Sequence, residues 1–303
     1  MKANNNNNSN NSNYNNDIKS KLFESKYLLS GFMAGVISRT VTAPLERIKI
    51  LNQIDSYLVN GSRYQNVWPA LKTIVAEEGP RGLFRGNLVN VIKAGPQSAI
   101  RFYTYEGLKK MTQDETGHLS VANRMWAGAS AGVVSIIMTH PLDIVKTRLS
   151  LGHPNQTRIL ETIKDIYKLE GLRGYTSGLS AAVLNIAPFS ALNFTFYEAI
   201  KENTKKYIIN DPPVYFSSLY GALSGSITMT ILYPLDVVKR RLMLQRYYKD
   251  PNQHKNFIHC IYQIVKKEGI RALYKGLKPA YLKVIPTVSI NFFCYELTLT
   301  LFK

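Results

Sequence analysis

The sequence predicts an all-α membrane protein, in which three tandem repeats supply six transmembrane helices around a pseudo-three-fold axis. Three observations predict this fold. The motif proline-x-acid-x-x-base occurs as PLERIK from Pro44, PLDIVK from Pro141 and PLDVVK from Pro234, at intervals of 97 residues (44 to 141) and 93 residues (141 to 234). An acid-glycine element follows each copy of the motif, and a pair of glycines four residues apart precedes it. Self-similarity at a nearly fixed period indicates a repeat architecture.

The chain begins with an asparagine-rich tract, residues 1–24, in front of the repeats. Its first twenty residues, MKANNNNNSNNSNYNNDIKS, hold too few apolar side chains to bury a core, so we expect them to be disordered. The tract has neither an apolar signal segment nor an arginine-rich amphipathic pattern, which argues against a cleaved leader. The repeats are then assigned to residues 25–115, 116–208 and 209–303.

The strong positive charge of the chain points to an anionic partner. Lysine and arginine number 38 against 20 acids, a formal charge of +18. The bases recur singly along apolar helices instead of forming a basic stripe, which disfavours nucleic acid as the partner. The two cysteines, Cys260 and Cys294, are far apart, so we expect neither a disulfide framework nor a metal site. The sequence contains no phosphate-binding glycine loop or metalloprotease helix, and we assign no catalytic residue.

The first long helix of each repeat carries the paired glycines, Gly31 and Gly35 in the first copy, which permit close helix contact in lipid. A soluble bundle with flexible glycines is the alternative. We expect Pro44, Pro141 and Pro234 to kink these helices, because proline lacks an N–H and clashes with the preceding turn; each could instead mark a helix end. A loop, a short amphipathic helix and a glycine turn then lead to a second long helix.

The second long helices also share a pattern, with a proline in mid-helix and an aromatic-acid pair near the end: Tyr105-Glu106, Tyr197-Glu198 and Tyr295-Glu296. Together with the triplicated proline motif and the acid-glycine element, EGPRGLFRG in the first copy, this pattern resembles the mitochondrial carrier family over about residues 26–301. The resemblance implies a monomeric, multi-pass solute carrier of the mitochondrial inner membrane that works by alternating access, with the short helix of each repeat on the matrix side. It implies no cofactor, and cardiolipin is the expected bound lipid.

Acid and base three residues apart in the motif lie on one face of a helix. Charges at bilayer depth usually face a bundle interior and pair there, although pairing within one helix on a solvated face is the alternative. The resemblance implies a matrix gate of pairs between repeats: Glu46 with Lys146, Asp143 with Lys239, and Asp236 with Lys49. It also implies that Gln53, one turn beyond Lys49, braces one pair. Arg47 has no counterpart in the other copies, and we expect it to face lipid or a loop.

The resemblance further implies a cytosolic gate at the aromatic-acid ends. Its pairs are Glu106 with Lys201 and Glu296 with Lys109, which leaves Glu198 without a base because Leu299 stands where one is expected. The acid-glycine elements are expected to hold cardiolipin, because glycine turns expose backbone N–H groups at helix starts. The residues assigned to lipid are Gly79, Arg85, Gly86, Gly171, Gly269, Lys275 and Gly276.

The substrate site is expected where the copies differ, on the middle turns of the second long helices. The resemblance implies contact points there at Lys93, at Asn185 with Ile186, and at Lys283. Arg39, within two turns of the matrix gate, and Arg101, two turns from Lys93 on a similar face, are assigned to the same site. The four bases of this site make an electropositive funnel for an anion, although Arg101 could instead end its helix in water. The resemblance implies a glycine followed by an aliphatic residue at the second of these contact points in carriers of nucleotides; Ile186 fits this pattern and Asn185 does not. Asn185 can instead hydrogen-bond a base edge or a pantetheine amide.

The predicted function is therefore exchange of a phosphorylated anion of the adenine-nucleotide or coenzyme A type. Two alternatives remain open. One is a carrier for a smaller anion such as phosphate, sulfate or a carboxylate, which needs the bases but not Ile186. The other is a carrier-derived scaffold that does not transport.

Overall fold

A computed structural model describes residues 31–57, 64–113, 120–152, 158–207, 215–248 and 256–301, with most of their side chains. All regular secondary structure within these ranges is helical, and the same order of elements occurs three times. The all-α prediction and the three-repeat organisation are confirmed.

Each repeat contains a motif helix with the proline motif, a short helix, and a return helix. The first repeat comprises α1 (residues 31–41), the motif helix α2 (Ala43–Gln53), the short helix α3 (Val67–Glu78) and the return helix α4 (Asn87–Thr112). The second comprises α5 (Val121–Ser150), α6 (Ile159–Glu170) and α7 (Leu179–Tyr207). The third comprises α8 (Tyr215–Leu244), α9 (Phe257–Glu268) and α10 (Leu277–Leu301). A 3₁₀ turn precedes each return helix, at Pro80–Phe84, Leu172–Thr176 and Ile270–Tyr274.

Three helical stretches within the described residues are long and apolar enough to cross a membrane: Ala122–Ser150, Leu172–Tyr207 and Leu219–Leu244. The return helices α4 and α10 have 26 and 25 residues. At about 1.5 Å per residue each is long enough for a hydrocarbon core of about 30 Å, but both carry lysines in their first half. The count of six spans therefore stays a prediction.

The motif prolines occupy two different settings. Pro141 and Pro234 lie inside α5 and α8, which continue through them. In the first repeat the helix is interrupted at Thr42, and Pro44 stands in the first turn of α2. Proline is tolerated there because the first N–H groups of a helix have no helical acceptor. The first proline accordingly marks a helix start, as in the alternative interpretation of the sequence.

The main core lies where α2, α5 and α8 converge, which we call the motif end of the bundle. Ile48, Leu51, Ile144, Leu149 and Met243 are buried together there. Burial of such side chains contributes roughly 1.5–3 kcal/mol each, so the apolar core concentrates stability at this end.

A glycine at the start of each return helix packs against a neighbouring repeat. Gly86, Gly178 and Gly276 have φ values of 81°, 76° and 88°, which favour glycine. A Cβ on them would lie 2.9, 2.8 and 2.9 Å from the carbonyl oxygen of a motif lysine in the next repeat, too close for any side chain. The three lysines are Lys146, Lys239 and Lys49 respectively. Two of these glycines were predicted to bind lipid, and the structure gives them a packing role as well.

Candidate functional site

Three ion pairs between repeats close the motif end. Glu46 Oε1 lies 2.8 Å from Lys146 Nζ, Asp143 Oδ2 lies 3.2 Å from Lys239 Nζ, and Asp236 Oδ2 lies 3.0 Å from Lys49 Nζ. We call these six residues the gate ring. The pairs are those that the resemblance implies, and they join each repeat to both others.

Each acid of the gate ring also accepts a second donor from a return helix. Lys93 Nζ lies 2.6 Å from Asp143 Oδ1, and Lys283 Nζ lies 2.8 Å from Glu46 Oε2. In the second repeat the amide of Asn185 donates to Asp236 Oδ1 at 3.2 Å. These three donors are residues predicted to contact substrate, and we call them the contact residues. The sequence predicted these residues as part of the substrate site, separate from the gate, whereas in the structure they contact the acids of the gate ring.

The region around the gate ring, with the contact residues and Arg240 included, carries more positive than negative charge. Glu46 and Asp143 each hold two lysines, but the second donor to Asp236 is neutral. Arg240 on α8 donates to Thr147 and lies close enough to interact with all three carboxylates. The sequence did not single it out, because the equivalent positions in the other copies, Ile50 and Thr147, are uncharged. Counting the five lysines with Arg240, six bases face three acids, which makes this region electropositive.

The predicted brace acts through a tyrosine. The amide of buried Gln53 donates to the Tyr233 hydroxyl at 3.3 Å, and the Tyr233 ring centroid lies 5.5 Å from Lys49 Nζ. A cation over an aromatic face is attracted to it. Gln53 therefore supports the Lys49–Asp236 pair indirectly. Sequence reasoning missed Tyr233, because the residue before the motif proline differs in every copy.

A cavity of about 500 Å³ lies between α4, α5 and α7, next to the gate ring. Its lining includes Arg101, Asn185 and Ile186, three of the residues predicted to bind substrate. Asp236 and Lys239 of the gate ring also line it. The remaining wall combines amides, hydroxyls and aromatic rings, among them Gln97, Ser190, Asn193, Phe189, Phe194 and Tyr197. This lining offers a cation for an anionic group and flat apolar surfaces for an aromatic base.

Arg39 does not join the other predicted substrate residues. Its guanidinium folds back along α1 and donates to the carbonyl oxygen of Gly35 at 3.0 Å. It is not among the residues that line the 500 Å³ cavity. The cause is local, since a carbonyl one turn earlier is within reach of this side chain.

At the opposite end of the bundle, the described side chains do not form the predicted pairing between repeats. Lys109 lies 3.5 Å from Glu106 and Lys201 lies 3.8 Å from Glu198, each within one helix. The pair Glu106–Lys201 is thus not formed in this state, and Glu198 has a base from its own helix. The Glu296 side chain, predicted to pair with Lys109, lies outside the described residues. These side chains are about one-third exposed, so the ion pairs are weak. No ion pair among these described side chains joins two repeats at this end, which we call the open end.

The prediction that Arg47 faces lipid or a loop is wrong. Arg47 is only 2% exposed; it pairs with Glu78 at 2.5 Å and donates to the carbonyl oxygens of Gly82 and Ser150. A buried guanidinium needs such partners, because an unpaired buried charge is strongly destabilising. The Glu78 contact lies within the first repeat, and the Ser150 contact reaches the second.

Arg148 and Arg241 make equivalent connections. Arg148 pairs with Glu170 and lies 4.1 Å from the Tyr247 ring centroid in the third repeat. Arg241 pairs with Glu268 and donates to the Gln53 carbonyl oxygen in the first repeat at 3.4 Å. We call Arg47, Arg148 and Arg241 the arginine ring. Comparing the three copies of the motif does not reveal this ring, because Arg47 follows its proline by three residues and the other two arginines follow theirs by seven.

The two bases predicted to bind lipid, Arg85 and Lys275, contact acids in the structure. Arg85 lies 3.0 Å from Glu78, and Lys275 lies 2.7 Å from Asp55 and 3.5 Å from Glu268. Burial alone would raise the pKa of the Glu268 carboxyl, but hydrogen bonds and charges from Arg241 and Lys275 outweigh burial and lower that pKa. The predicted lipid glycines Gly79, Gly171 and Gly269 end the short helices with positive φ.

A family model described as mitochondrial carrier protein matches three segments, residues 20–116, 117–207 and 210–303. The chain is 60% identical to mitochondrial substrate carrier family protein A of Dictyostelium discoideum, over 93% of this chain and 86% of that protein. It is 35% identical to calcium-dependent mitochondrial ATP-magnesium/phosphate carrier protein 3 of Arabidopsis thaliana, over 92% of this chain. It is also 35% identical to the mitochondrial adenyl nucleotide antiporter SLC25A24 of Homo sapiens, over 89% of this chain. The chain spans 57% of the length of each of the last two relatives.

Proposed function

The chain belongs to the mitochondrial carrier family, and from that premise we propose that it exchanges a phosphorylated anion across the mitochondrial inner membrane. The anion is of the adenine-nucleotide or coenzyme A type. Relatives named as carriers of adenyl nucleotides and of ATP-magnesium and phosphate support this class. So does the cavity that joins Arg101 to Ile186 and to aromatic rings.

One observation carries the mechanism: the contact residues are bound to the acids of the gate ring. A phosphate that enters the cavity competes with Asp143 for Lys93 and with Glu46 for Lys283. Once these lysines turn to the phosphate, each acid keeps only its ring lysine, and the closed state is less stable. Substrate binding shifts the conformational equilibrium only as far as it binds one state better, and this exchange of partners provides the difference.

In the same proposal the motif end faces the matrix and the open end faces the cytosol. When the gate ring opens, Glu106 pairs with Lys201, and Glu296 with Lys109, across repeats. Their present partners within one helix contribute little, because exposed pairs are worth about 0–1 kcal/mol. The cytosolic gate therefore forms without a large cost, with Glu198 left to its own helix.

Cardiolipin and a monomeric state complete the proposal. A cavity of about 290 Å³ between the starts of α7 and α9 is lined by Gly178, Ser180, Gln245 and Asn256. Two helix starts point backbone N–H groups toward such a place, which suits an anionic headgroup. This cavity belongs to the middle copy, where the aromatic-base pair of the lipid element is absent from the sequence.

Exchange in liposomes tests the function. The purified chain is reconstituted with cardiolipin, and uptake of labelled ADP, ATP, coenzyme A, phosphate and malate is measured against each as internal substrate. We expect exchange of at least one adenine-containing anion. Exchange of phosphate or malate alone would favour the carrier for a smaller anion. No exchange by folded protein would favour the scaffold.

A further inference from the structure

The gate ring is bordered by a second cavity, which shares two lining residues with the first. It measures about 700 Å³ and lies between α7, α8 and α10. Phe189 and Asp236 line both cavities. We call the first cavity the polar compartment and the second the apolar compartment, with Phe189 at their border.

The two compartments differ in charge. The polar compartment contains Arg101 and Lys239 with several amides and hydroxyls. The apolar compartment is lined mainly by glycines, Ala222, Met229, Val284 and Val288, and none of its described lining residues is a base. Its one charged lining residue, Asp236, is already paired with Lys49. An anionic group has no counter-charge there, so the apolar compartment suits a neutral moiety.

The width of the apolar compartment depends on α8. Gly221 and Gly225 line it, whereas Leu219, Leu223 and Ile227 are exposed on the outside. Residues two positions apart on a helix point about 200° apart, so the glycines face inward and the large side chains outward. A Cβ on Gly221 would meet no atom within 4 Å, which means that the space beside it is open.

We propose, on the basis of the function proposed above, that the transported anion carries a long neutral arm and belongs to the coenzyme A class. The phosphorylated adenosine part occupies the polar compartment, and the arm passes Phe189 into the apolar compartment. The polar compartment alone lies within the usual size range of small-molecule sites. A plain nucleotide therefore leaves the apolar compartment unused.

The test compares anions with and without the arm. Full-length protein in liposomes is assayed for uptake of coenzyme A, adenosine 3′,5′-bisphosphate and ADP at subsaturating concentrations. We expect coenzyme A to be exchanged at least about tenfold faster than either armless anion, because burying two methylene groups already contributes about that factor.

Variants locate the arm. Gly221→Leu fills the apolar compartment, and we expect it to lower coenzyme A exchange to the rate of ADP while ADP exchange stays within about twofold. Val288→Phe fills the same space from α10 and should act alike, which covers the case in which one variant folds poorly. Gly128→Leu is the matched control. Gly128 lies thirteen residues before its motif proline, as Gly221 does, its Cβ also meets no atom within 4 Å, and it lines neither compartment.

The outcomes separate this proposal from the function on which it rests. If ADP is exchanged and coenzyme A is no faster, or if Gly221→Leu lowers both rates equally, the proposal for the arm is overturned and the carrier function stands. If folded wild-type protein exchanges no phosphorylated anion, the proposed function itself fails.

Discussion

Exchanging contact residues between repeats tests whether they hold the gate ring closed. In Lys93→Asn, Asp143 keeps Lys239 at 3.2 Å but loses a charged donor at 2.6 Å. Hydrogen bonds to charged groups contribute about 1.5–3 kcal/mol. An amide at position 93 restores part of this, as Asn185 does for Asp236, so we expect a loss of about 1–2 kcal/mol. With about 2–4 °C per kcal/mol for chains of this order of size, the Tm falls by roughly 2–8 °C.

The reverse substitution, from asparagine to lysine, should raise the stability and the Tm instead of lowering them. Asn185→Lys gives Asp236 a second lysine, as Glu46 and Asp143 already have. We expect a gain of about 1 kcal/mol, at the lower end because Lys239 and Arg240 repel the new charge. Both variants slow exchange, Lys93→Asn by removing a substrate contact and Asn185→Lys by making the ring harder to open. The two therefore share a kinetic defect and differ in the direction of Tm.

The assay is thermal unfolding of substrate-free protein in detergent, followed by exchange in liposomes. Arg158→Gln is the control, because Arg158 is 80% exposed and pairs with Glu161 at 3.6 Å; its Tm should stay within about 1 °C. If Lys93→Asn and Asn185→Lys shift the Tm in the same direction, the contact residues do not stabilise the closed gate ring through its acids, and the coupling proposed above is refuted.

Three further predictions concern the motif end. Arg47→Met should lower the free energy of unfolding by about 3 kcal/mol with an unchanged KM; a loss no larger than that of Arg158→Met contradicts the buried role of Arg47. The pKa of Glu268 is lowered in the folded protein. The interactions of its carboxylate therefore stabilise the fold at pH values above the ordinary pKa of glutamate, and this stabilisation is lost as the pH falls through the folded pKa. Between about pH 5 and about pH 3 the Tm of the wild type should therefore fall more steeply with pH than the Tm of Glu268→Gln. Equal slopes of Tm against pH would contradict the stabilising role of the Glu268 carboxylate. The rings of Tyr57 and Tyr248 stack with centroids 5.2 Å apart. A double-mutant cycle in which each is changed to leucine should give a coupling free energy of about 0.5–1.5 kcal/mol. Zero coupling would show that the stack does not stabilise the contact between the first and third repeats.

The parts predictable from sequence are those that recur at the repeat period. The gate-ring pairs follow from an acid and a base on one helix face, repeated three times, together with the cost of leaving charge unpaired in a membrane. The cavity residues are an exception, since they differ between the copies: Asn185 and Ile186 lie at a contact point that the resemblance implies, and Arg101 lies two turns from Lys93 on a similar helix face.

The rest depends on properties that a single repeat does not display. Arg47 stands in a different register from Arg148 and Arg241, so its equivalence appears only when the three guanidinium groups meet their glutamates. The engagement of Lys93 and Lys283 by the gate ring, and the absence of the Glu106–Lys201 pair, depend on which end of the bundle is closed. One sequence can adopt either conformation, so the sequence alone does not determine which of these contacts are formed.

The contacts of the arginine ring differ in how much of the chain must be present before they can form. Arg47 can donate to Ser150 only when the second repeat is present, Arg148 needs Tyr247 of the third, and Arg241 returns to the Gln53 carbonyl of the first. A nascent chain that ends after two repeats still lacks two of these three links. Backbone carbonyls and guanidinium groups buried without partners are costly. Insertion of the third repeat thus completes the first two, and we expect the protein to mature in one late step rather than repeat by repeat.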